Sequence, residues 1–388
     1  MNAVAAWQEE LTRQLAGLDE RGLRRRPALP SGIDFSSNDY LGFAGDRELA
    51  RAIAGRIAET AEGDPEALFA PASRLLRGET ALHREVEARL ARFKGTEAAL
   101  LLPSGYQANV ALLTAILGPA DRALSDELNH ASLIDGLRLS GCRRRVIPHL
   151  DLAAYERALA EREGFGRTVV VVESLFSMDG DAAPLAPLAE ACERHGALLI
   201  VDDAHAAGVF GETRGSGLVE LHGLERRVAA SVTTFGKAFA VGGACIAGSR
   251  ALVEWIVNRA RPFIFSTAVS PVLLLALAAS LDHLERHRGR AGVVRSRAAR
   301  LRRRLAEAEV SIAAGDGPIV PVLLGSNLRA LAIGELVRAQ GFDVRAVRPP
   351  TVPAGTARLR LSVHADRSED EIDALAAVIG RAVHRVPA

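Results

Sequence analysis

The feature that most narrows the possible folds is a series of seven short apolar runs between residues 98 and 248. They are Ala98–Leu102, Arg122–Ser125, Arg145–Pro148, Thr168–Glu173, Leu198–Asp202, Ala229–Thr234 and Gly243–Gly248. Runs such as TVVVVE and LLIVD are apolar almost throughout rather than at alternate positions, so strands made from them are buried on both faces. Helical stretches (Gly105–Ile116, Asp151–Arg162, Leu185–Arg194) lie between several of them. This alternation predicts an α/β fold, a mostly parallel seven-stranded sheet with helices on either side. In such sheets chemistry gathers at the carboxyl ends of the strands. Polar residues collect there: Ser104–Tyr106, Asp126–His130, Glu173–Ser177, Asp202–His205 and Thr234–Lys237.

The flanks read differently. Trp7, Leu11, Leu15 and Leu18 recur at helical spacing, and an extended piece, Ile33–Ser37, follows. Asp46–Gly63 and Leu82–Phe93 read as helices joined by an irregular loop that contains PASRLLRGET. Beyond residue 280 an arginine-rich helix (Leu281–Ala306) leads into a smaller α+β region. Its expected strands are Ile319–Leu323, Asp343–Ala346 and Ala357–Ser362, with helices at Leu328–Gln340 and Glu369–His384. The expected organisation is an N-terminal helix and arm over 1–45, a large cofactor-binding α/β domain over 46–280 and a small C-terminal α+β domain over 281–388.

A net charge of +1 with no polybasic run gives no reason to expect nucleic acid or an anionic membrane as partner. The longest apolar run, Val272–Leu281, is about half the ~20 residues that span a bilayer. Cys142, Cys192 and Cys245 lack metal-ligand spacing and form no even disulfide set, so no metal site is expected and a reducing, cytoplasmic setting is. The N-terminus carries two glutamates and no long apolar core, unlike a secretory signal.

Of the 48 basic residues counted as lysine or arginine, only Lys94 and Lys237 are lysine. Arginine keeps its proton at any working pH, whereas a lysine whose pKa is depressed becomes an amine nucleophile. Lys94, in RFKGTE, closes an amphipathic helix and reads as a solvated charge there. Lys237 lies in SVTTFGKAFAVGG, after a strand and a glycine, among small and apolar residues. Asp202 and His205 in VDDAHAAGVFG would each pass alone for a helix cap and a loop histidine. With the later lysine they suit pyridoxal phosphate: a carboxylate for the pyridine nitrogen, an imidazole at the phenolic oxygen, and an amine for the imine. The phosphate needs hydroxyls and free N–H groups. Gly105 and Tyr106 open a helix directly after a strand, and Thr234, Ser266 and Thr267 supply hydroxyls. His130 in SDELNHAS could stack on the ring, and Ser177 in ESLFSMDGD could reach the phenolic oxygen.

GYQANVALL, DELNHASLIDG, ESLFSMDGD, VDDAHAAGVFG, TTFGKAFAVGG and RPPTVPAGTARLRLS, in this order from about Phe35 to Ala365, resemble the α-oxoamine synthases. These are pyridoxal-phosphate transferases of fold type I. The resemblance implies that Lys237 forms the Schiff base, Asp202 pairs with the pyridinium nitrogen and His130 stacks on the ring. It places Ser177 and His205 near the phenolic oxygen, and Thr234 and Gly105–Tyr106 near the phosphate. Arg348 would bind the amino-acid carboxylate, Thr351 would line the substrate site, Asn38 would lie near the cofactor, and Arg24 would meet the distal carboxyl of the acyl chain. FSSNDYLGF, the Leu-Arg-Arg-Arg before a proline and RPPTVPAGTARLRL resemble the branch serving biotin synthesis, which joins L-alanine to a pimeloyl thioester carried by coenzyme A or acyl carrier protein. A glycine and acetyl-thioester branch, and a non-catalytic cofactor-binding homologue, are the alternatives. Family members are homodimers in which Ser266 and Thr267 would reach the neighbour's phosphate. One departure is FAPASRLL, where Ala70 and Pro71 replace usual glycines; proline fixes φ and removes a donor, which bears on the acyl channel.

Overall fold

Each long apolar run forms a strand in the computed structural model, which describes residues 2–161 and 164–387. The strands are β1 (Ala98–Leu102), β2 (Arg122–Asp126), β3 (Arg143–Ile147), β4 (Thr168–Glu173), β5 (Leu198–Asp202), β6 (Ala230–Thr234) and β7 (Ala244–Gly248). They make one seven-stranded sheet in the order β1-β7-β6-β5-β4-β2-β3. Only β7 runs antiparallel to its neighbours. The sheet is the mostly parallel one expected. Val169 to Val172 and Leu199 to Val201 are buried, as strands covered on both faces must be.

The helix Gly105–Ile116 follows β1, starts on the Ser104 cap and buries eight of its twelve residues. Helix Ala131–Ser140 follows β2 and is capped by the His130 side chain. Both helices therefore begin at the carboxyl edge of the sheet. Arg162, the expected end of the helix after β3, lies outside the described residues; Leu152–Ala160 is helical.

Contacts divide the chain into two units. One comprises 38–177 and 181–294 and contains the large sheet. The other comprises 2–37, 178–180 and 295–387 of the described chain. The expected divisions at 45/46 and 280/281 thus differ from those found. The arm joins the C-terminal unit because Ile33–Asp34 pairs in parallel with Phe342–Asp343, a contact that no local window contains. The expected helix Leu281–Ala306 is two helices, Pro271–Arg286 and Gly289–Glu307, and the later division falls inside the second. The smaller unit also holds a three-stranded antiparallel sheet with β10 (Ala357–Ser362) between β8 (Ile319–Gly325) and β9 (Arg345–Val347). Its N-terminal helix Ala3–Glu20 has no buried residue and leaves Trp7, Leu11 and Leu15 exposed.

Candidate active site

Strand β5 ends at Asp202, whose carboxylate accepts from the Asn109 amide at 2.7 Å and from the Ala204 N–H at 3.1 Å. The same Asn109 nitrogen donates to Ser132 Oγ at 2.8 Å, and that hydroxyl lies 2.7 Å from His130 Nδ1. The Ser132 N–H also donates to Nδ1, at 3.3 Å. Nδ1 is therefore an acceptor, and the neutral ring carries its proton on Nε2. Burial chiefly lowers the His130 pKa; Asp202 opposes this and the charge of Lys237 adds to it. A continuous hydrogen-bonded path, Asp202–Asn109–Ser132–His130, thus orients two of the expected catalytic groups.

Glu173 lies beside Asp202 in the parallel register of β4 and β5. One oxygen accepts from the Ser177 N–H at 3.1 Å; the other is buried without a hydrogen-bond partner among the described residues. Burial, then the neighbouring Asp202 charge, raises the Glu173 pKa to about 8, so the carboxyl keeps its proton at neutral pH. His205 Nδ1 is 2.6 Å from the hydroxyl of fully buried Tyr40, which donates to Asn38 Oδ1 at 3.2 Å.

Lys237 is carried by the tight connection between β6 and β7. Phe235 N–H donates to Gly243 O at 2.9 Å, Val241 N–H to Phe235 O at 2.9 Å, and Ala240 N–H to Lys237 O at 2.9 Å. Ala240 and Gly243 both have positive φ, 54° and 97°, and the buried rings of Phe235 and Phe239 meet edge-on. The backbone below the amine is accordingly fixed by hydrogen bonds and packing.

Lys237, Asp202, His130, His205 and Glu173 among these line one cavity of about 170 Å³. Lys237, Asp202, His130, His205, Gly105, Tyr106 and Thr234 all border it, as expected from the sequence. Asn109, Ser132 and Glu173 border it too; the sequence gives Glu173 only as a strand-end polar residue and offers no role for Asn109 or Ser132. Ser177 is tied to it through Glu173. Ser266 and Thr267 are not in this wall; they line a separate crevice with Arg74 and Phe263. Arg24, Arg348 and Thr351 belong to the smaller unit. There Arg24 pairs with Asp19 at 2.7 Å, while Arg25 reaches Thr351 Oγ1 at 3.3 Å and Arg348 donates to Gly22 O. A larger cavity of about 790 Å³, bordered by Phe69, Pro71 and Leu76, has no lysine or histidine in its described lining. Volume alone does not mark the site.

Lys94 requires a correction. It is buried, not solvated: Nζ donates to Asp203 Oδ2 at 2.8 Å and to Ser216 O at 2.6 Å. Its helix does end in a Gly95 cap, but the side chain turns inward to an acid 109 residues away.

The cavity's chemistry suits pyridoxal phosphate. A carboxylate, a partnerless buried carboxyl oxygen, a ring-proton donor and an amine border one space. At one edge the first turn of Gly105–Ile116 abuts Thr234: a Cβ on Gly105 would lie 3.4 Å from Thr234 Cβ. Glycine lets a helix start and a hydroxyl approach closely, which is an anion-binding arrangement.

A sequence profile of the class I and II aminotransferases matches residues 30–379. The 8-amino-7-oxononanoate synthase of Anaeromyxobacter sp. (strain K) is 41% identical over 387 residues, covering 96% of this chain and 95% of that protein. The protein of the same name from Geobacter sulfurreducens is also 41% identical, with 96% and 98% covered. Among solved structures, a serine palmitoyltransferase from S. paucimobilis with a bound pyridoxal-phosphate adduct superposes with a TM-score of 0.89 at 25% identity, covering 100% of this chain and 99% of that one. The 8-amino-7-oxononanoate synthase of Francisella tularensis gives 0.76 at 25% identity, with 92% and 98% covered. The chain belongs to the class I and II aminotransferase family, as a pyridoxal-phosphate-dependent transferase of fold type I and a member of its α-oxoamine synthase group.

Proposed function

We propose that this enzyme joins L-alanine to a pimeloyl thioester, with loss of CO2, to give 8-amino-7-oxononanoate for biotin synthesis. The observation that carries the reading is the shared cavity of Lys237, Asp202, His130 and His205, in a chain whose relatives at 41% identity bear that name. Pyridoxal phosphate, when bound, supplies an electron sink for the carbanion formed at the amino-acid Cα. Lys237 would hold the cofactor, and its Nζ, as a free amine, would take the proton from the amino-acid Cα. Asp202, its position fixed by Asn109, would pair with the pyridine nitrogen and keep it protonated. His130, which carries its proton on Nε2, would stack on the cofactor ring and help return a proton after CO2 is lost. His205, steadied by Tyr40, and Ser177 would serve the phenolic oxygen, and Gly105, Tyr106 and Thr234 would hold the phosphate.

Arg348 binds the alanine carboxylate through its planar fork, with Thr351 and Asn38 beside the substrate. Arg24 meets the distal end of the pimeloyl chain. Arg25, by its bond to Thr351, shares that region of the smaller unit. The working form is a homodimer in the cytoplasm, with Ser266 and Thr267 directed to the neighbour's phosphate. The exposed Trp7, Leu11 and Leu15 are apolar surface for such an assembly to cover, and no helix among the described residues is long and apolar enough to cross a membrane. Product mass spectrometry tests the reading. Purified enzyme with L-alanine and pimeloyl thioester should yield 8-amino-7-oxononanoate and CO2 faster than any product from glycine with acetyl-CoA or serine with palmitoyl-CoA. Faster turnover of either other pair would overturn the substrate assignment.

A further inference from the structure

Away from the cofactor cavity, the start of helix Arg47–Gly63 and the end of helix Pro271–Arg286 bring Glu48, His283 and His287 together. One donor atom from each lies within 4.8 Å of the others. No step of the reaction uses them. His283 is fully buried, and its Nε2 is 3.1 Å from Asp46 Oδ2. An aspartate that also accepts from Arg290 is ionised and only accepts, so Nε2 carries the imidazole proton. Nδ1 is then a bare lone pair, and it has no hydrogen-bond partner among the described residues. A buried orphan of this kind calls for a reason. It faces Glu48, with Oε1 at 3.8 Å. His287, four residues on along the same helical face, places Nε2 3.4 Å from Glu48 Oε2, and the two rings are 4.2 Å apart.

We propose that His283 Nδ1, His287 Nε2 and the Glu48 carboxylate bind one divalent transition cation of the zinc type, with water as the fourth ligand. A histidine that ligates through one nitrogen while donating its other N–H to a carboxylate is the usual supported form of such a ligand, and Asp46 is that carboxylate. Ligand atoms at tetrahedral zinc, with bonds of about 2.0–2.2 Å, lie about 3.3–3.5 Å apart. The His287 Nε2–Glu48 Oε2 separation already fits; His283 Nδ1 stands 3.8 Å from the other oxygen, Oε1, so the exposed Glu48 carboxylate has to turn to bring Oε2 to both rings. His287 sits past the last helical turn and is a third exposed, so its ring can close on the ion. Arg286 Nη1 occupies Glu48 Oε1 at 2.7 Å, which leaves Oε2 to the metal, and Arg290 is turned to Asp46. Two imidazoles and one carboxylate select zinc over calcium or magnesium, which require mainly oxygen ligands.

The test uses untagged holoenzyme without amino acid, titrated calorimetrically with Zn²⁺ and spectroscopically with Co²⁺. The proposal expects one saturable ion per chain and tetrahedral Co²⁺ bands that Zn²⁺ displaces. His287→Ala should weaken binding at least about ten-fold, and Asp46→Asn, which retains a helix-capping side chain, about 10- to 100-fold. Glu48→Gln gives a second ligand variant that preserves shape and should also lose binding. His222→Ala, at an exposed histidine elsewhere, should bind as wild type. His287→Ala should keep its cofactor absorbance and its turnover in metal-free buffer. Zn²⁺ binding of wild-type strength in both His287→Ala and Glu48→Gln, no saturable ion in wild type, or octahedral Co²⁺ spectra would overturn the proposal.

Discussion

Asp202 and Asp203 are consecutive residues at the end of one strand, yet their surroundings are opposite in character. Asp203 is fully buried and satisfied: Lys94 lies 2.8 Å from one oxygen, while Ser174 Oγ at 2.7 Å and the Leu218 N–H at 3.1 Å serve the other. Gly217, at φ 125°, passes so close that a Cβ there would lie 2.0 Å from the Asp203 carboxylate. No solvent or substrate reaches this pair. Asp202 instead opens onto the cavity that Lys237 borders. The only two lysines of the chain therefore do contrasting work. Full burial with every polar atom satisfied makes Lys94 a structural ion pair, whereas Lys237 is only partly buried and borders the open cavity, the setting that the proposed amine chemistry requires.

The largest effect that could break this contrast is on rate. Lys237→Ala should lower kcat by about 10⁴-fold or more while leaving the thermal midpoint nearly unchanged. A loss below ten-fold would remove its catalytic role. Lys94→Met should do the reverse: stability should fall by about 3–5 kcal/mol in denaturant titrations, because Asp203 is left charged and unpaired, while the folded fraction keeps its kcat. Adding Asp203→Leu to Lys94→Met should recover part of that loss, since no buried charge then remains.

A further, half-buried ionic site at His149 sharpens the comparison through pH. His149 donates to Asp126 at 2.9 Å and to Asp181 at 3.0 Å and packs edge-on against Phe176, next to Ser177. Burial opposes the charged ring, but the two carboxylates prevail and raise its pKa to about 10. A pKa raised on folding contributes stability that is fully present below about pH 6.5 and is lost as pH rises towards about 10. His149→Gln should thus cost about 2 kcal/mol at pH 6, and the difference from wild type should shrink steadily between pH 7 and 10. A difference independent of pH would refute the charged form. The smallest effect is on the path between Asp202 and His130: Asn109→Ala should lower kcat about ten-fold at unchanged cofactor stoichiometry, through loss of a hydrogen bond to a charged group.

Much of this was legible in the sequence because the strands are apolar on both faces and their ends carry the polar residues. Lys237, Asp202, His130 and His205 belong to motifs at those ends, and the sheet brings them together. Lys94 reads as solvated from its window, RFKGTE, because that window shows only a helix terminus; its partners Asp203 and Ser216 are set by the tertiary fold. Asn109 is a buried polar residue in the largely apolar helix Gly105–Ile116. A buried amide needs partners, but the sequence does not say which; Ser132 and Asp202 follow from how that helix meets its neighbours. The arm at Ile33–Asp34 joins the C-terminal unit through a pairing with Phe342–Asp343 that composition and periodicity do not specify.

The central claim, that Lys237 rather than Lys94 is the amine that holds the cofactor, can be read directly in a chain with two lysines. Holoenzyme reduced with borohydride, digested and sequenced by mass spectrometry should carry the pyridoxyl group on the peptide containing Lys237 and none on that containing Lys94. Label on Lys94, or no lysine label in enzyme that still shows bound cofactor, would contradict the account.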